Sequence, residues 1–181
     1  LSTQKSDLDK TKSSLQKVIK DISATMEEQF LSRLELINNE FKTSFTELFG
    51  GGRAKIELED KDNPLTSGIE IRVEPPGKKL QNLSLLSGGE RAFTAIAILF
   101  AILKINPSPF SVLDEIEAAL DDANVQRYAN YLKKYSEDTQ FIIITHRKGT
   151  MESAKTLYGV TMEENGVSKL VSLDLSKVKK D

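Results

Sequence analysis

Cysteine and tryptophan are absent from this chain of 181 residues, and histidine occurs once, at His146. Without thiols, neither a disulfide framework nor a thiolate metal site can form, and a reducing compartment is the default expectation. One imidazole cannot make a histidine metal cluster. An excess of one charge is missing too: 25 Lys and Arg stand against 27 Asp and Glu, a formal net charge of -2. A dedicated nucleic-acid-binding domain is usually basic. The longest apolar stretch, Ala92 to Ile105, is interrupted by Thr94 and Lys104 and is too short to cross a bilayer. No secretion signal is evident, so the chain reads as soluble and cytoplasmic. Its length suits one core, or one core plus an extended appendage.

A phosphate-cradling loop is also missing. That loop needs Gly, four spacers, Gly-Lys and then Ser or Thr, because backbone N–H groups wrap the phosphates while the lysine and hydroxyl reach phosphate and metal. Gly77-Lys78-Lys79 has Arg72 where the first glycine belongs and Lys79 where the hydroxyl belongs. Lys155-Thr156 follows Ala154. The chain alone cannot hold a nucleoside triphosphate by this route.

Glycine and proline are absent from Leu1 to Phe49, and apolar residues recur there at three- and four-residue steps through Ile19, Ile22, Met26, Phe30, Leu34, Ile37, Phe41, Phe45 and Leu48. This predicts one amphipathic helix roughly 70 Å long at about 1.5 Å per residue. Leu8, Leu15 and Ile22 are seven apart, as in a coiled-coil seam, while Thr11 and Thr25 weaken the alternate seam positions. A long amphipathic helix lying on one domain is the competing reading. Lys5, Lys10, Lys12, Lys17 and Lys20 make its start locally basic, for which a solvated helix face is the commoner explanation.

Gly50-Gly51-Gly52 ends that helix. Alternating residues at 54–59 and 69–73 predict a hairpin or meander, broken by Pro75-Pro76-Gly77. A helix follows from Gly88 through Leu103, stopped by Asn106-Pro107-Ser108-Pro109. Phe110 to Leu113 and Phe141 to Thr145 read as buried parallel strands joined through a helix from Asp122 to Tyr135. A short helix near 148–154 and two strands flanking the turn Asn165-Gly166 close the domain, before a charged tail from Ser176 to Asp181.

Three segments carry candidate chemistry. Ser87-Gly88-Gly89-Glu90 stands at a helix start, where unpaired N–H groups and the positive dipole end attract phosphate. The same residues read as a capping box, and one geometry serves both. Asp114-Glu115 ends an apolar strand, the place where ligands bind in open α/β sheets. There Asp114 can hold a magnesium ion through water and Glu115 can orient and deprotonate an attacking water; an acidic turn capping the next helix is the alternative. His146 ends the neighbouring strand, within reach of a γ-phosphate. Asp121 reads either as a helix N-cap or as a group reaching a neighbouring subunit.

Taken together, Leu83-Ser84-Leu85-Leu86-Ser87-Gly88-Gly89-Glu90-Arg91, Val112-Leu113-Asp114-Glu115, Ala118-Ala119-Leu120-Asp121, Thr145-His146-Arg147-Lys148-Gly149-Thr150-Met151 and Leu157-Tyr158-Gly159-Val160-Thr161-Met162 resemble the C-terminal half of the ATPase head of bacterial SMC (structural maintenance of chromosomes) proteins. The resemblance implies the C-terminal lobe of an ABC-type, P-loop-superfamily ATPase head: an α/β fold with a mixed sheet and flanking helices at 50–175, preceded by a coiled-coil helix at 1–49 and followed by a tail at 176–181. It implies ATP and Mg2+ as cofactors, with Glu115 and His146 catalytic and Asp114 toward the metal. Ser87, Gly88, Gly89 and Glu90 would meet ATP held by an opposite head, with Asp121 bridging across. The implied partners are the N-terminal lobe of the same head, which carries the phosphate loop, a second SMC head, the C-terminal winged-helix domain of a kleisin, and DNA for the whole complex. No membrane is implied. The family role is chromosome condensation, organisation and segregation in the nucleoid. The fragment alone is expected to be inactive. A head of a related double-strand-break-repair ATPase and a non-catalytic coiled-coil module remain as alternatives.

Overall fold

The computed structural model describes residues 2–137, 139–164 and 166–177, and the side chains of these except at 2, 3, 5–9, 163 and 164. The uninterrupted amphipathic stretch forms one helix, α1 (Ser2–Phe49). It has two environments. Leu15, Val18, Ile19, Ile22 and Met26 are exposed, whereas Phe41, Ser44, Phe45, Leu48 and Phe49 are buried. The seam residue Leu8 is among those whose side chains lie outside the described set.

Three glycines with positive φ, at 72° for Gly50, 139° for Gly51 and 84° for Gly52, turn the chain out of α1. Gly52 is required by crowding as well, since a Cβ there would clash with the Glu74 carbonyl oxygen. The chain then enters a three-stranded antiparallel sheet of β1 (Arg53–Leu58), β2 (Ile69–Glu74) and β3 (Gln81–Asn82). Ala54, Ile56 and Val73 face the core. The central helix α2 (Gly88–Ile105) buries Phe93, Ile96, Ala97, Phe100 and Ala101. It packs against the base of α1 through a tilted aromatic pair, Phe49 and Phe93, with ring centroids 4.8 Å apart, and Phe45 stacks on Phe49 within α1 at 4.1 Å.

β4 (Phe110–Asp114), α3 (Asp122–Tyr135) and β5 (Gln140–Ile144) make the strand, helix, strand unit predicted from the sequence, and the two strands pair in parallel. α3 is bound to the base of α1 by three polar contacts. Arg127 Nη1 donates to the Phe49 carbonyl at 2.9 Å, Tyr131 donates to Ser44 at 2.9 Å inside the core, and Lys134 pairs with Glu47 at 3.0 Å. The short helix α4 (Lys148–Ser153) leads into an antiparallel hairpin of β6 (Thr156–Glu164) and β7 (Val167–Asp174). Of its expected Asn165-Gly166 turn, Gly166 has φ 85° while Asn165 lies outside the described residues, as do residues 178–181 of the charged tail.

The class is α/β as predicted, and among the described residues the strands form three small sheets, one parallel and two antiparallel. The reading of β4 and β5 as buried strands holds for one face only. Leu113 is buried and Phe141 and Ile143 pack on the core, while Phe110, Val112, Ile142 and Ile144 are 54%, 55%, 48% and 53% exposed. Continuous apolar strands are covered on both faces in complete parallel sheets. Here Phe100 of α2 meets Phe141 on one face, with ring centroids 6.0 Å apart, and the other face is exposed.

Candidate functional site

The parallel register sets Asp114 opposite Ile144, so Glu115 and Thr145-His146 leave the two strands at the same edge. Glu115 N–H donates to the Ile144 carbonyl at 2.9 Å, tying the two exits together. The Glu115 backbone takes φ 48°, a left-handed conformation that costs a non-glycine residue about 1–3 kcal/mol and is kept only where surroundings over-determine it. His146 Nδ1 lies 3.2 Å from Glu115 Oε1, with the two side chains 63% and 51% exposed. A proton on Nδ1 makes this a donor and acceptor pair facing solvent. Asp114 is exposed beside them at the end of β4.

Arg147 holds this edge to the segment leading into α3. Its Nη2 donates to the Leu120 carbonyl at 2.8 Å and to Asp122 at 3.0 Å. Between those two anchors lies Asp121, whose carboxylate accepts from the Asn124 N–H at 2.8 Å and the Asn124 amide at 3.2 Å. The N-cap reading of Asp121 therefore holds. The residue remains exposed.

The second group sits at the start of α2. Ser87 Oγ accepts from Glu90 N–H at 3.4 Å, and Glu90 Oε2 accepts from Ser87 N–H at 3.1 Å and Ser87 Oγ at 2.9 Å, a complete capping box. Lys78 adds a third donor to Oε2 at 3.0 Å and reaches Oε1 at 2.8 Å. The Lys78 ammonium, followed by the Ser87 hydrogen bonds, holds the Glu90 carboxyl below its ordinary pKa, against the opposing effect of partial burial. Ser87 and Gly88 are exposed. A Cβ on Gly88 would meet nothing within 4 Å, whereas one on Gly89 would sit 3.2 Å from the Ala119 carbonyl. Gly89 thus lets the start of α2 lie against the loop that carries Asp121. No hydrogen bond or ion pair among the described residues joins the Ser87 group to the Glu115–His146 group.

Sequence reasoning gave no role to Lys78, Arg147, Glu117, Thr145 or Thr150. Glu117 is fully buried, and its Oε1 accepts from Thr145 at 2.5 Å and Thr150 at 3.0 Å. Its position two residues after Glu115 carried no sign of burial, because Ile116-Glu117-Ala118 fits an exposed turn equally well. Among the described residues, no group of three or more His, Asp or Glu side chains could hold a metal ion by itself. Mg2+ is commonly held by one or two carboxylates together with waters and substrate phosphates, and the exposed Asp114 fits that donor set.

Residues 3–169 match the family model for the RecF/RecN/SMC N terminal domain. The chain belongs to this family. It is 60% identical over 179 residues, 99% of its length, to the chromosome partition protein Smc of Bacillus subtilis (strain 168), and 58% identical over 181 residues to that of Desulfitobacterium hafniense (strain Y51). It spans 15% of the length of each of those proteins. Among solved structures it is similar to an SMC ATPase studied for ATP-driven dimerization and DNA stimulated activation, at 44% identity and a TM-score of 0.77 over 83% of this chain and 91% of that one. A second is the Smc head with an extended coiled coil from Pyrococcus furiosus, bound to the C-terminal domain of ScpA, at 41% identity and a TM-score of 0.81 over 97% of this chain and 44% of that one. The expected SMC head fold thus matches these structures. Among the described residues, no helix is long and apolar enough to cross a membrane.

Proposed function

We propose that this chain is the C-terminal lobe and adjoining arm of an SMC ATPase head, supplying the hydrolytic edge of one ATP site and the closing face of another. The carrying observation is the Glu115–His146 pair, 3.2 Å apart and open to solvent where two parallel strands end. Glu115 is suited to orient and deprotonate the attacking water, and His146 to contact the γ-phosphate. Magnesium, held from Asp114, supplies neutralisation of phosphate charge. Arg147 keeps this edge against the Asp121 loop.

The exposed Ser87 at the positive end of α2 suits a γ-phosphate held by a second head, with Gly88, Gly89 and Glu90 forming the rest of the phosphate-facing turn. Nucleotide bound between two surfaces joins them, and loss of the γ-phosphate releases them. The ATP-driven dimerization named for one structural relative supports this cycle. The bare face of β4 and β5 suits the N-terminal lobe of the same head, the source of the missing phosphate loop. Relatives bound to ScpA support docking of a kleisin winged-helix domain, and the DNA stimulated activation of a relative supports DNA as the partner of the whole assembly. On this reading residues 1–49 form the arm, 50–175 the lobe and 176–181 a tail. The setting is the nucleoid, and the role is chromosome organisation and partition, as the names of the curated relatives suggest.

The test is reconstitution. This chain mixed with a separately expressed N-terminal lobe should regain magnesium-dependent ATP turnover that neither part has alone. A well-folded mixture with no turnover overturns the proposal.

A further inference from the structure

Glu117 is the one carboxylate buried among the described residues, with 0% of its surface exposed. A buried carboxylate lowers stability unless its oxygens are well partnered. Here Oε2 lacks a hydrogen-bond partner, as does the neighbouring buried Tyr128 hydroxyl, whose pKa is pushed up first by burial and then by the Glu117 charge. Oε1, by contrast, is doubly used. It accepts from Thr145 Oγ1 at 2.5 Å and Thr150 Oγ1 at 3.0 Å. Thr145 Oγ1 in turn accepts from Arg147 N–H at 3.0 Å, so the hydroxyl that donates to Glu117 also holds the peptide on the far side of His146. On the other strand, Glu117 lies two residues past Glu115, and the intervening turn is closed by Ala118 N–H donating to the Glu115 carbonyl at 3.0 Å.

We infer that Glu117 is a positioning residue for the Glu115–His146 pair, acting through the Thr145 hydroxyl to hold the His146 turn at a fixed distance from the turn that carries Glu115. The inference rests on the proposed role of Glu115 in ATP hydrolysis. Thr145 has its single proton committed to Glu117 and a lone pair to Arg147, so both bonds constrain its side chain. A residue placed for the fold alone would behave differently. Replacing an incompletely partnered buried charge with an apolar group of similar size is often neutral or stabilising, so a purely structural Glu117 predicts stable variants with native turnover. Misplacing a reacting group by about 1 Å costs up to about 100-fold in rate.

The experiment uses the complete head, N-terminal lobe included, carrying Thr145→Val, Thr145→Ser, Glu117→Gln or Glu117→Leu, each alone and combined with Glu115→Gln. The readouts are kcat and KM for ATP, ATP-dependent head pairing and melting temperature. Thr145→Val should lower kcat about 10- to 100-fold with KM and pairing near native. Thr145→Ser, which keeps the hydroxyl, should recover most of that loss. Glu117→Leu should match Thr145→Val, and Glu117→Gln, which keeps one accepting oxygen, should fall between it and native. None should slow turnover further once Glu115 is Gln. If Glu117→Leu does not fold, the near-isosteric Thr145 pair decides. Native kcat in Thr145→Val, or a loss seen only in KM, overturns the positioning role while leaving Glu115 in place. Unchanged turnover in Glu115→Gln alone removes the pair's catalytic role, and the inference with it.

Discussion

The two candidate groups of this chain are assembled in opposite ways. Ser87 and Glu90 are three residues apart and complete their mutual hydrogen bonds within one helical turn, with Lys78 as a distant addition. Glu115 and His146 are 31 residues apart and meet only because β4 and β5 pair in parallel and in one register. A local group survives any folding error that spares its helix. The distant group needs a strand pair, a crossover helix, a left-handed residue at 115 and the Glu117–Thr145 contact, so it is the more fragile of the two and the more sensitive to change nearby.

The sharpest separation of the groups should come from Glu115→Gln in the complete head. The variant keeps shape while losing the proposed base, and kcat should fall about 10²- to 10⁴-fold with ATP-dependent pairing retained, read by steady-state turnover and size-exclusion chromatography. Ser87→Arg attacks the other group. Nucleotide binding should persist while ATP-dependent pairing disappears, because a bulky cation fills the exposed start of α2; normal pairing in this variant would remove Ser87 from the closing face.

Stability should report the same contrast on a smaller scale. Arg147→Ala removes the donor to the buried-side Leu120 carbonyl and frees the Asp121 loop from the His146 turn, with an expected loss of about 1–3 kcal/mol in chemical denaturation. Its second contact, to a fully exposed Asp122, adds little. The smallest effect belongs to the local group. The Glu90 carboxyl is held below its usual pKa chiefly by Lys78, so its contribution is present above about pH 4.5 and is lost as pH falls through its lower folded value. The melting-temperature difference between native chain and Lys78→Ala should therefore shrink below about pH 4.5. A difference that widens on acidification would mean that Glu90 is not the partner that matters.

The same division explains what could be read in advance. The helical period of α1 and α2, the glycine stop at 50–52, the alternation of β1 and β2 and the serine cap are local signals, and each appears in the structure within a residue or two of its predicted bounds. Glu115 and His146 were legible as strand ends, since a charged or polar residue closing an apolar run marks the edge of a sheet. Glu117 was not, because burial of a turn carboxylate depends on two threonines about 30 residues further along. Arg147 was hidden for a like reason, its main acceptor being the backbone carbonyl of Leu120. The sheet was misjudged where tertiary cover was assumed. Apolar β4 and β5 signal two covered faces, and this chain covers one.

Sequence alone determined the elements, the capping box and the absence of a phosphate loop, because backbone preference, side-chain period and motif spacing act over a few residues. Tertiary structure alone decided that Glu115 would meet His146, that Gly89 would lie against Ala119, that Arg127 would cap the end of α1 and that Glu117 would be withdrawn from water. Those outcomes depend on strand register and on the packing of α3 against α1 and α2, where residues far apart in the chain are brought together by long-range contacts that no local signal encodes.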